Sequence, residues 1–149
     1  MKKILFKIIL FIGIGFSLGE IIFGKKIETI KQLANKETYY FLQEGIYNNK
    51  KLLKENCKYL NDKIIEKRND KYYVFIAITK DPAILNKLKD IYEKAGIKTI
   101  IIQKNISSNS FSENLDQLDY LIKNTKDDEQ ILLIEKVILA NYEEMIKKE

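Results

Sequence analysis

The stretch YYFLQEGIY, Tyr39–Tyr47, decides the fold, because the pattern it begins is written twice. It runs into NNKKLLKENCKYL (Asn48–Leu60), and the later YYVFIAIT (Tyr72–Thr79) runs into KDPAILNKLKDIY (Lys80–Tyr92) in the same way. At an offset of 32 residues Tyr40 falls on Tyr72, Phe41 on Tyr73, Leu42 on Val74, Gly45 on Ala77, Asn49 on Asp81, Leu53 on Leu85 and Leu60 on Tyr92. Aromatic and β-branched runs favour a strand, and apolar residues three and four apart favour a helix. A register kept across both is what a duplicated strand–helix unit produces.

Each half carries its own punctuation. Asp81 before Pro82 is an N-cap with proline at the first helical position, and Gly96 stands where a helix over 82–95 should end. That helix has the apolar stripe Ile84, Leu85, Leu88, Ile91, Tyr92 and Ala95. The first helix is expected to be capped by Asn48 or Asn49, with the stripe Leu52, Leu53, Cys57, Leu60 and Ile64. Cys57, the single cysteine, then reads as a small core residue. Two further strand candidates, KIIEKR (Lys63–Arg68) and IKTIIIQK (Ile97–Lys104), complete a β-α-β-β-α-β order over residues 38–104. The expected fold is α+β, a four-stranded sheet with both helices on one face and the other face left open by this unit, free for a ligand or for the C-terminal helices.

Alternation assigns the faces. Val74, Ile76 and Ile78 share one side of the second tyrosine-rich strand, and Tyr73, Phe75 and Ala77 share the other. The aliphatic side suits the helices. The opposite side aligns with Phe41, Gln43 and Gly45, with Tyr39 and Tyr47 at the ends. Phe41, Gln43, Tyr47, Tyr73 and Phe75 are therefore the candidate binding residues, aromatic faces around one amide, suited to a flat polar ligand.

The flanks are of different material. Ile4–Phe23 is apolar except for Lys7, Ser17 and Glu20, long enough for a membrane-crossing helix, so residues 1–24 are expected to be a single-pass anchor. A cleaved signal peptide is the alternative, with SLG (Ser17–Gly19) as its only small-residue site. Lys2, Lys3 and Lys7 against Lys25 and Lys26 favour a cytoplasmic N-terminus and an extracytoplasmic domain. Residues 25–37 read as a short helical linker. At the other end, residues 110–147 read as a helical hairpin. SFSE (Ser110–Glu113) is its first capping box, and Ile131, Ile134, Val137, Ile138, Tyr142, Met145 and Ile146 stripe its second helix.

The net charge of +5 belongs to the anchor and the segment that follows it. Residues 1–36 hold seven lysines and two glutamates, and the other 113 residues balance at 19 basic and 19 acidic side chains. A neutral domain lacks the electrostatic footprint of a nucleic-acid binder. The chain has no histidine, no phosphate-cradling glycine loop and no nucleophile elbow. Glu44, Glu66 and Asp70 are carboxylates without a distinguishing spacing, so neither an enzyme, a metal site nor a cofactor is expected.

The doubled unit with Q-x-G-x-Y at Gln43–Tyr47 resembles the SPOR domain, the sporulation-related repeat. The resemblance covers about residues 38–104 and implies a β-α-β-β-α-β sheet that binds peptidoglycan glycan strands in sporulation or cell division. Gln43 matches that family's sheet glutamine and Tyr47 its aromatic after the glycine. Phe75 and Ala77 depart from it, standing where the family often has a polar residue and a glycine. The expected function is a membrane-anchored, non-enzymatic glycan-binding domain. The alternative is a protein-interaction module in a membrane complex, with the helical hairpin as its partner surface.

Overall fold

A computed structural model describes residues 37–148. β1 (Glu37–Tyr47), α1 (Lys50–Asn56), β2 (Ile64–Arg68), β3 (Lys71–Thr79), α2 (Pro82–Lys94) and β4 (Ile100–Ile106) are followed by α3 (Asn109–Asn124) and α4 (Asp128–Lys148). The chain is thus α+β in the expected element order, with an antiparallel four-stranded sheet ordered β2-β3-β1-β4. The expected anchor at 1–24 lies outside the described residues, as does the linker except for Glu37, which opens β1. Among the described residues no helix is long and apolar enough to cross a membrane.

β2 and β3 are joined by the two residues Asn69 and Asp70, at φ 47° and 59°. Left-handed backbone suits the twist of a tight hairpin, and Asn and Asp tolerate it better than most residues do. Glycine tolerates it better still, so Asp70→Gly is expected to raise stability by about 0.5 kcal/mol, read as a higher urea midpoint. The exposed Lys67–Asp70 ion pair that this removes is worth little.

The helix ends follow local chemistry. Asn49 caps α1 by accepting from the Leu52 N–H at 2.9 Å, and Asp81 caps α2 by accepting from the Ala83 N–H at 2.7 Å. Gly96, at φ 78°, closes α2 with Ile97 N–H donating back to the Tyr92 carbonyl. Two expectations are corrected. α1 stops at Asn56 rather than continuing through Leu60, because Ile64 is needed in β2, where it pairs with Phe75. α3 is capped by Ser108, whose Oγ accepts from Phe111 N–H, and not by the capping box at Ser110.

Two bulges set the faces of the sheet. Leu42 pairs with Ala77 but Gln43 with Phe75, which leaves Ile76 extra on β3; Gly45 then pairs with Val74, which leaves Glu44 extra on β1. Each bulge shifts the alternation by one residue. Ile78 consequently pairs with Phe41 and joins the Phe75 side instead of the Val74 side. Gly45 and Tyr47, paired with Val74 and Tyr72, leave the side of Phe41 and Gln43.

α1 and α2 pack on the side of Leu42 and Val74, which are fully buried. The opposite side is closed as well. Phe111 of α3 stacks on Tyr39 at 5.7 Å between ring centroids, and Tyr142 of α4 meets Phe41 edge-on at 5.2 Å. Phe111 and Tyr142 also touch each other. The domain is therefore three layers, and the expected open face is the floor of a second core.

Candidate functional site

The residues proposed from sequence divide three ways. Phe41, Gln43 and Phe75 do come together on one face, but beneath the hairpin, with 0%, 3% and 2% of their surface exposed. Tyr73 lies half-buried at the margin of the same face, beside Glu66 and Ile46. Tyr47 is on the opposite face, near α1. No ligand reaches Phe41 or Phe75 while α3 and α4 are docked.

Tyr47 has a local task instead. Its hydroxyl donates to Glu44 at 2.9 Å, as do Tyr59 Oη at 2.7 Å and, more weakly, the Cys57 thiol at 3.4 Å. Its ring lies over Gly45, where a Cβ would come within 2.9 Å of Tyr47 Oη. The Q-x-G-x-Y spacing is thus accounted for by a tyrosine folding back over a bulge. Burial and the Glu44 carboxylate raise the Cys57 thiol, whose interaction with Tyr47 only partly opposes this. Tyr59 is pushed up to about 12 by burial and by Glu44. These shifts keep the protons on the donors that converge on Glu44.

Under the hairpin lies a charged pair that the sequence reading did not single out. Lys104 starts on β4 and reaches across the sheet, its Nζ 4.3 Å from the Phe41 ring centroid and 3.8 Å from that of Phe75. It ends 2.6 Å from Glu66 Oε1 on β2. Tyr142 Oη donates to the same oxygen at 2.9 Å, and Arg68 pairs with the other. Burial presses both members toward neutrality. Glu66 nevertheless stays below the usual carboxylate range, because Lys104, Tyr142 and Arg68 together outweigh that burial. Lys104 has one carboxylate and Arg68 as a like-charged neighbour, so its burial prevails and its ammonium lies below the usual lysine value. An ammonium enclosed by aromatic faces gains from their quadrupoles as well.

A second polar set seals an edge. β2 pairs with β3 only as far as Phe75, so the outer backbone groups of the β3 stretch beyond it need other partners. Tyr92 Oη of α2 donates to the Ile76 carbonyl at 2.8 Å, and Ile78 N–H donates to Glu135 Oε1 of α4 at 2.7 Å. Thr79 Oγ1 and Lys80 N–H both donate to Asp119 Oδ2 of α3, at 2.8 and 3.0 Å. Three helices thus take the place of a neighbouring strand. Glu135 is wholly buried, which raises its carboxyl well above the ordinary value. Asp119 is pushed up to about 6 by burial and by the negative charges of Asp81 and Asp116, against the pull of Lys80 and Thr79.

The sign of the resulting pH dependence is fixed. Folded Asp119 holds a proton that the unfolded chain releases from the ordinary value of 3.8 upward, so its contribution is complete below that value and declines as pH rises through about 6. The loss amounts to about 3 kcal/mol across that window, and Glu135 acts in the same direction. Asp119→Asn keeps an acceptor for Thr79 and Lys80 and cannot ionise. Its urea midpoint at pH 8 is expected to exceed that of the parent chain, with the order reversed or equal at pH 4.

The two buried acids of the β3 edge had a signal in the sequence. Glu135 lies four residues after Ile131 and three before Ile138, and Asp119 stands in the same relation to Leu115 and Ile122. A carboxylate within an apolar stripe must find donors when the stripe is buried. Lys104 and Glu66 left no such mark, since either is an ordinary alternate residue in a strand.

Among the described residues no group of three or more histidine, cysteine, aspartate or glutamate side chains is arranged to hold a metal ion. Comparison with family models, curated proteins and solved structures found no match to this chain.

Proposed function

We propose that residues 37–148 form a non-catalytic interaction module held at a membrane by the sequence that precedes them, with the α3–α4 hairpin as its partner-facing surface. The observation that carries this reading is the closed sheet face: the aromatic residues suited to a flat ligand are used to dock the module's own hairpin. The hairpin in turn presents Tyr120 and Leu133 outward, 67% and 41% exposed. Tyrosine is one of the residue types enriched among the anchors of protein interfaces. Of the nine acidic side chains in residues 109–148, Asp119 and Glu135 are buried, and the other seven stand against five lysines, so the partner surface is expected to be mildly basic around an apolar centre.

A photoreactive amino acid at position 120 or 133, placed in the full chain in its own cells, tests this. A discrete crosslinked protein from both positions, absent when the probe is at Asp70 in the distant β2–β3 turn, is the expected result. Absence of any adduct at 120 and 133 removes the hairpin as the partner surface.

The resemblance to SPOR domains supports a second reading, glycan binding, with the order of strands and helices over residues 38–104 in its favour. Binding through Phe41 and Phe75 would require the hairpin to leave the sheet. Pelleting of the chain with amidase-stripped cell-wall sacculi, lost in Gln43→Ala/Phe75→Ala but kept in Tyr120→Ala, would favour the glycan over the partner.

A further inference from the structure

The balanced charge of the domain hides a local excess. Residues 48–63 hold Lys50, Lys51, Lys54, Lys58 and Lys63 against only Glu55 and Asp62, and Asp62 is taken by Lys136 of α4 at 3.0 Å. Lys50 and Lys54 lie one turn apart on α1, and Lys58 follows just past its end. None of these three has a carboxylate partner among the described residues. They stand at the rim of a cavity of about 440 Å³ whose floor is Leu53 of α1, Ile65 of β2 and Tyr72 of β3. That volume lies within the range of small-ligand sites. Ile65, 43% exposed, leaves the floor accessible.

We infer that this cavity is a docking site for the headgroup region of acidic phospholipid in the adjoining bilayer. The phosphate meets the lysine rim and the first acyl carbons meet the apolar floor. Charge complementarity selects the occupant: three ammonium groups without carboxylate partners around an apolar floor match an anionic headgroup attached to hydrocarbon. The length of chain outside the structure permits it. β1 has eleven residues and separates Glu37 from α1 by about 36 Å. Residues 24–36 cover that distance when extended, up to about 45 Å, and so only in place of the helical linker that their pattern suggests, which reaches about 20 Å. The inference rests on the membrane-held reading above and adds which surface of the module faces the lipid.

Amide hydrogen exchange of the full chain, reconstituted in phosphatidylcholine vesicles with or without phosphatidylglycerol, tests it. Phosphatidylglycerol is expected to slow exchange across residues 50–58 and 64–66, and high salt to reverse the effect. Each Lys→Gln step at 50, 54 and 58 should release about fivefold of that protection. Residues 128–148 serve as the internal control for an intact fold. Equal protection with and without phosphatidylglycerol overturns the lipid site and leaves the membrane-held reading standing. So does a triple Lys→Gln variant that matches the parent chain. Protection reproduced on phosphatidylcholine by added inorganic phosphate overturns it in favour of a free anion. Failure of the chain to associate with either kind of vesicle brings down the membrane-held reading together with this one.

Discussion

Lys104→Ala is expected to lower the free energy of unfolding by about 3 kcal/mol, because it leaves the Glu66 carboxylate beneath the hairpin with only Tyr142 and the half-exposed Arg68. Both side chains are nearly excluded from solvent, at 13% and 10% exposure, so solvent screening softens the loss very little. The cost should shrink in acid. Glu66 contributes stability above its ordinary value of 4.5 and loses it as pH falls through its lower folded value, and without Lys104 that carboxylate protonates sooner. Lys104→Met with Glu66→Met removes both charges and keeps the volume, so the double variant should be more stable than either single one. Chemical denaturation of the four chains decides it. A double variant no better than Lys104→Met alone would mean that the pair is not acting as a unit.

Tyr142→Ala should cost a similar amount, about 3–5 kcal/mol, through loss of a buried ring set against Phe41 and Phe111. Tyr142→Phe isolates the hydroxyl that donates to Glu66, and its cost should be about 1.5–3 kcal/mol, the range for a hydrogen bond to a charged group. The two variants separate packing from polarity at one position. Tyr142→Ala combined with Lys104→Ala should cost less than the sum of the two, since they share Glu66 and Phe41. Hydrogen exchange in Tyr142→Ala should rise first across α3, α4 and the amides of Ile78 and Lys80, which depend on the hairpin for partners. Uniform loss of protection throughout the sheet would show instead that hairpin and sheet open as one unit.

The parts of the fold that could be read from sequence are those fixed by local chemistry. Asp81–Pro82, Asn49 and Gly96 mark helix ends by their own backbone preferences, and the element order follows from period and punctuation. The bulge at Glu44 had one sign, the glycine beside it at position 45, but the bulge at Ile76 could not be read, since pairing between strands creates it and the position carries no special residue. They moved Tyr47 and Ile78 to the faces opposite those that simple alternation assigns. Coverage of the second face was undetermined for a related reason. Phe41 and Phe75 suit a sugar ring and a tyrosine ring alike, and the choice between them is made by α3 and α4, far along the chain.

The edge of β3 has a consequence for the order of synthesis. Every residue of the four strands emerges from the ribosome before α3 and α4 do, and at about 5–20 residues per second the hairpin takes seconds to follow. Throughout that interval Ile78 and Lys80 offer amides without their carboxylates, and Phe41 and Phe75 offer bare aromatic surface. The emerging domain is at its most adhesive when its sheet is already out, and the docking of residues 109–148 is what ends that exposure.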